Sequence, residues 1–141
     1  ETDAGERGRR EWRRGGRHRD RVGIVHATPA GAEIKQACYN GVIDAGNSST
    51  ADTIDWTLGS VQKSTLTGNV TYTFTAPTGV SRLTLMVYSG AGSFTATWPA
   101  AVKWPAATAP TITTTASRVD IITFLWDGTN YWAVATQNFT A

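Results

Sequence analysis

From Asn69 to Thr75 the chain alternates without a break. Val70, Tyr72 and Phe74 fall on one side, and Thr71, Thr73 and Thr75 on the other. Successive side chains of an extended strand point to opposite faces, so this is the signature of a half-buried β-strand. Arg82–Tyr88 repeats it, with Leu83, Leu85 and Val87 on one face and Thr84 and Met86 on the other. Ser93–Trp98 sets Phe94, Ala96 and Trp98 against Ser93, Thr95 and Thr97. Val119–Trp126 is more continuously apolar, as expected of a central strand covered on both faces. Tyr131–Phe139 alternates again, with Trp132 and Val134 opposite Tyr131 and Ala133. Glu33–Val42, Ile54–Leu58 and Ser60–Leu66 are weaker candidates.

Turn residues punctuate these segments. Asp127-Gly128-Thr129-Asn130 lies between two aromatic strands and predicts a hairpin loop. Ser89-Gly90-Ala91-Gly92 predicts another between the Leu83 and Phe94 strands. Thr67-Gly68-Asn69 and Ala76-Pro77-Thr78-Gly79 mark two further turns. Pro99, Pro105 and Pro110 make Trp98–Thr111 an extended loop with a short strand at most. No segment carries a 3.6 period with caps, so little helix is expected. Nor does an internal repeat stand out. The expected fold is all-β, an antiparallel, jelly-roll-like β-sandwich.

Charge divides the chain. Residues 1–21 hold eight basic and five acidic side chains, and residues 22–141 hold five basic and six acidic ones. The basic pI near 9.0 therefore belongs to the first segment. Trp12 apart, that segment has little to bury, and its glycines weaken any helix. Residues 1–30 are expected to form an extended basic arm and linker, and residues 31–141 the β domain, with the boundary near Gly31. Arg9, Arg10, Arg13, Arg14 and Arg17 are candidate partner-binding residues. They suit docking on an acidic protein surface through charge-assisted pairs. Binding to nucleic-acid phosphate is a weaker option. A solvated tail, or an artefact of where the chain start or register was assigned, stands between these two options.

Candidate chemistry is sparse. No apolar run is long enough to span a membrane, and no secretory signal pattern opens the chain. Cys38 stands alone, which excludes an internal disulfide and a cysteine-based zinc site. It reads as a small buried thiol, although His26 is a formal partner. His18 and His26 both lie in or beside the arm, so the body lacks an imidazole base for nucleophilic catalysis. Asp44, Asp52, Asp55, Asp120 and Asp127 are the body's aspartates. A hydrolase needs two carboxylates at a set separation, but Asp127 reads more simply as a turn residue and Asp120 as a strand-edge residue. The Asp44–Asp55 segment lacks the spacing of a calcium loop. No catalytic residue, metal or cofactor is assigned, and the chain is not expected to be an enzyme. The Asn-X-Ser/Thr triplets at Asn47, Asn69 and Asn138 fit chance in a Thr-rich sequence. Trp56, Trp98, Trp104, Trp126 and Trp132 are many for so short a body. Most are expected in the core or between subunits. Asp127, Tyr131 and Trp132, beside a loop tip, are the candidates for receptor binding.

The order Leu66-Thr67-Gly68-Asn69-Val70-Thr71, Thr97-Trp98-Pro99, Val102-Lys103-Trp104-Pro105, Thr108-Ala109-Pro110, Val119-Asp120 and Asp127-Gly128-Thr129-Asn130-Tyr131 is distinctive. With Ile54-Asp55-Trp56 before it, it resembles a β-rich module of tailed-phage tail fibres and related virion surface proteins. The resemblance spans about 60% of the chain, from Ile54 to Phe139. It implies a structural module in the virion, often trimeric, sometimes near a receptor-binding tip, and no active site. Other virion proteins, of the tail or the capsid, are then the expected partners, and a host surface glycan a further one. A capsid decoration protein that clamps shell subunits is the alternative, and a carbohydrate-binding receptor module a third. The basic arm and Val22–Asn40 fall outside the resemblance.

Overall fold

The computed structural model describes residues 41–141 of the chain. The candidate arm at 1–30 with its arginines, both histidines, Cys38 and the candidate strand positions 33–40 lie outside the described residues. Nine strands follow in order: β1 (Ile43–Ser48), β2 (Ala51–Asp55), β3 (Val61–Leu66), β4 (Val70–Thr75), β5 (Ser81–Ser89), β6 (Ala96–Thr97), β7 (Val102–Lys103), β8 (Arg118–Trp126) and β9 (Tyr131–Thr140). The only helical piece among the described residues is a 3-10 turn at Pro105–Ala107. The fold is all-β.

Direction of pairing departs from expectation. The six-stranded sheet runs β1-β3-β5-β8-β9-β7 and the three-stranded sheet β2-β4-β6. Among the described residues β5-β8 and β8-β9 are antiparallel, whereas β1-β3, β3-β5, β2-β4, β4-β6 and β7-β9 are parallel. The wholly antiparallel jelly-roll pairing is therefore corrected. From β1 to β6 the chain winds from one sheet to the other and back, each coil lying on the one before. Ile43 lies opposite Gln62, and Gln62 opposite Leu85. On the other side Thr71 lies opposite Ala51 and Thr97. This winding is a structural repeat that no residue repeat announces, because a coil needs only inward apolar and outward polar positions. Period two reports which face is buried and not which way the neighbouring strand runs.

The predicted turns have different fates for the same reason. Asp127–Asn130 does close a hairpin, with Trp126 opposite Tyr131. Ser89–Gly92 instead leads from β5 in one sheet towards β6 in the other, so no hairpin forms there. Thr67–Asn69 and Ala76–Gly79 are likewise corners between sheets. The expected Ser93–Trp98 strand shrinks to Ala96–Thr97. Trp98–Thr111 is the extended loop its prolines predict, with β7 as its short strand.

The inward faces follow the alternation. Leu66 of β3, Val70 and Tyr72 of β4, Leu83, Leu85 and Val87 of β5, Ile122 and Phe124 of β8, and Tyr131 and Ala133 of β9 are all buried. They meet an aromatic cluster. Phe124 lies 5.3 Å from Phe74 and 5.8 Å from Trp56, while Tyr72 stacks on Trp98 at 5.0 Å. Trp104 and Trp126 pack against the same core. Of the five body tryptophans Trp56 is buried and Trp98, Trp104 and Trp126 are half-buried against the core, which accounts for most of their number. Strand β8 is a further correction: Ile122 and Phe124 face the core, but Leu125 on the other face is 45% exposed.

Coils stack closely enough to constrain their corners. A Cβ on Gly90 would overlap the Leu66 carbonyl oxygen, and one on Gly68 would overlap that of Ser49. Both obstacles are backbone, which cannot swing aside. Gly90→Ala is expected to lower stability by about 1–3 kcal/mol. Gly79, which has open space around its Cα, is the control. Urea unfolding should shift clearly for Gly90→Ala and by no more than about 0.5 kcal/mol for Gly79→Ala; equal shifts would mean that the close stacking is unimportant.

Candidate functional site

The carboxylates have local structural partners. Asp44 pairs with Lys63 at 3.0 Å and accepts the Gly46 amide. Asp55 accepts the Thr57 amide and hydroxyl, which shapes the turn after β2. Asp52 accepts a short hydrogen bond from the Ser48 hydroxyl. Ser48 also contacts Ser64 at 2.6 Å, and Ser64 contacts the Tyr72 hydroxyl at 2.8 Å, so a polar chain crosses the interior between the sheets. Burial pushes the Tyr72 phenol up to about 12, so it is protonated throughout the neutral range. Among the described residues no cluster of three or more histidine, cysteine, aspartate or glutamate side chains is placed to hold a metal. No described helix is long and apolar enough to cross a membrane.

Asp120 is the buried carboxylate, with no measurable exposure. The ladder of β8 and β9 shifts register between Val119 and Ile121, where the inward alternation breaks. Val119 and Asp120 are consequently both buried. Four donors converge on Asp120: the Thr113 amide and hydroxyl at 2.7 Å each, the Asn138 amide at 2.9 Å and Gln137 Nε2 at 3.0 Å. Burial pushes its pKa up, but the hydrogen bonds, led by the Thr113 amide, outweigh that and hold it below the ordinary carboxylate value. Asp120 thereby ties the loop before β8 to the end of β9. It is a structural acceptor and not a strand-edge residue.

The receptor-binding candidates separate. Tyr131 begins β9 pointing inward, only 3% exposed, with its ring 4.3 Å from that of Trp126. It is not a surface residue, and that expectation is corrected: neighbours on a strand face opposite ways, and proximity to a loop tip does not override this. Trp132, next along, points outward and is 52% exposed. The hairpin brings Asp127 to it. Asp127 Oδ1 accepts the Asn130 amide at 2.7 Å and the Thr129 amide at 2.8 Å, while Oδ2 accepts Trp132 Nε1 at 2.7 Å. The Asn130 amide, the indole and the Thr129 amide together hold the Asp127 carboxyl below its usual range. Gly128 takes φ +100° between them, a conformation that glycine allows without strain.

Sheet register brings in residues that the sequence did not single out. Arg82 lies opposite Leu125, Leu125 opposite Trp132, and Trp132 opposite Lys103, across β5, β8, β9 and β7. Leu125 and Trp132 are exposed large apolar side chains of this outer face, and Val134 beside them is 58% exposed. A groove of about 410 Å³ lies between Trp132 and Arg82. A second, of about 290 Å³, lies between Trp132 and Lys103. The indole therefore stands as a ridge with a groove and a cation on each side. No spacing in the sequence announces Arg82 or Lys103, since pairing alone aligns them. What the arrangement offers is non-covalent binding: a flat aromatic plate, two positive charges and a turn carboxylate. No family model, curated protein or solved structure matches this chain.

Replacing Asp120 tests its structural role. Its folded pKa lies below an unfolded value of about 3.9. Its contribution is thus present above about pH 4 and is lost as pH falls through the folded value. Asp120→Asn should cost about 2 kcal/mol or more at pH 7, because an amide replaces one acceptor oxygen with a donor. It should also flatten the acid limb of the stability curve. An unchanged acid limb in chemical denaturation would show that other groups set it.

Proposed function

We propose that this chain is a structural protein of a tailed-phage virion, an oligomeric β module of tail-fibre type anchored to another virion protein. The observation that carries the reading is the winding of β1 to β6 in two parallel ladders, which adds to the order of motifs from Leu66 to Tyr131. A chain that winds this way lengthens along one axis without changing cross-section, which suits a rigid element of a fibre. Among the described residues β1 and β2 are edge strands, and they are the first elements of the body. Sheet edges present unpaired backbone groups that need covering. In this reading a neighbouring subunit covers them, and a threefold arrangement does so symmetrically. Arg9, Arg10, Arg13, Arg14 and Arg17 then dock on an acidic surface of the partner.

The side chains support a module without catalysis. Asp55 and Asp127 bind turn amides, and Asp120 is spent on Thr113, Gln137 and Asn138. Light scattering on the full chain at micromolar concentration is expected to give an oligomer, with the mass of three chains favoured. A monomer would overturn the oligomeric module. Immunogold labelling of particles should place the protein on the tail. Label confined to the shell would favour the capsid-decoration alternative, and absence from purified particles would overturn the virion reading altogether.

A further inference from the structure

The indole of Trp132 is held in a way that packing does not require. A carboxylate fixes its edge by the 2.7 Å bond from Nε1 to Asp127, while about half of the residue stays in water. An aromatic side chain fixed before binding loses less freedom when a ligand lies on it. Arg82 and Lys103 occupy the two grooves beside the ring. Three strand spacings separate them, about 14 Å end to end. A ligand long enough to reach both cations must pass over the indole.

We propose that this face binds an acidic oligosaccharide, one sugar ring stacked on Trp132 and its carboxylate or sulfate groups held by Arg82 and Lys103. The C–H face of a pyranose is apolar and slightly positive, and so complements the negative face of the indole. Thr84 and Thr123 in the larger groove supply hydroxyls to bond sugar hydroxyls. Asp127 has accepted three donors and retains a lone-pair site for a fourth, such as a sugar hydroxyl at the edge of the ring.

Two other occupants fit less well. A second copy of the chain would bury Arg82 and Lys103 against the apolar strip, and charged residues are depleted at the cores of protein interfaces. Single-stranded nucleic acid stacks successive bases on several aromatic side chains. Of the aromatic side chains that line the two grooves, Trp132 alone is largely exposed, and Asp127 would oppose a phosphate backbone. The inference deepens the virion reading by naming what the presented surface recognises, and it is tested separately from it.

The test is calorimetric titration of the full chain with oligogalacturonate, with a heparin oligosaccharide, with the neutral methyl ester of oligogalacturonate and with a thymidine oligomer. At least one acidic sugar should bind, and Trp132→Ala should abolish that binding. Arg82→Gln and Lys103→Gln should each weaken it about tenfold, as should methyl esterification if oligogalacturonate is the ligand. Trp132→Phe, which keeps an aromatic plate, should retain part of the affinity. Thermal melting checks that each variant folds. Binding of neither acidic sugar would overturn the inference. So would binding that survives in Trp132→Ala, which would come from elsewhere on the chain, or tighter Trp132-dependent binding of the thymidine oligomer. Light scattering on Trp132→Ala separates the two proposals. A variant that falls from oligomer to monomer makes this face a subunit interface, which sinks the sugar site and leaves the oligomeric module standing. An intact oligomer without sugar binding sinks the sugar site alone.

Discussion

Phe74 of the small sheet and Phe124 of the large one meet edge to face at 5.3 Å, and the rest of the body is arranged around that contact. Trp56, Trp98 and Tyr131 pack on both rings or beside them. The two sheets therefore share one aromatic interior. Edge-to-face pairs add specific geometry to the burial of large apolar area. A three-stranded sheet whose last strand has two residues, Ala96 and Thr97, has little ladder of its own to hold it. Its place depends on the rings it presses against the larger sheet. The indole nitrogens of Trp56 and Trp98 are buried with no hydrogen-bond partner among the described residues. That loss is tolerated because ring packing, and not hydrogen bonding, fixes both side chains.

The polar interior complements this packing at two places. Ser48, Ser64 and Tyr72 link the first coils across the gap between sheets. Asp120 gathers the loop before β8 and the end of β9 onto one carboxylate. Each satisfies groups that would otherwise be buried without partners. Each also specifies geometry: the first sets the spacing of stacked coils, and the second fixes where the antiparallel hairpin ends.

The outer face around Trp132 follows from the same construction. The inward side of β8 and β9 supplies Phe124 and Tyr131 to the core, so the alternate side must carry Leu125 and Trp132 into solvent. The hairpin loop then places the Asp127 carboxylate beside the indole. A core requirement and a turn requirement thus combine to create an oriented aromatic surface. The oligomeric virion module and the acidic-sugar face are readings of this surface and of the winding behind it.

Much of the inside-outside assignment was legible in the chain. Alternation at Val70–Thr75 and Leu83–Val87 marked the buried positions, and Asp127–Asn130 marked a true hairpin. Local sterics and hydrophobicity determine these features within a few residues, so they can be read without a partner strand. Proximity to the loop tip pointed to the exposed ring of Trp132 but misplaced Tyr131, because neighbours on a strand face opposite ways. The direction and order of pairing were not legible, because parallel and antiparallel neighbours ask for the same alternation. The Gly90 corner, the convergence on Asp120 and the row from Arg82 through Trp132 to Lys103 belong to tertiary structure alone. They exist only where register sets distant segments side by side, and register is decided by the packing of the whole interior.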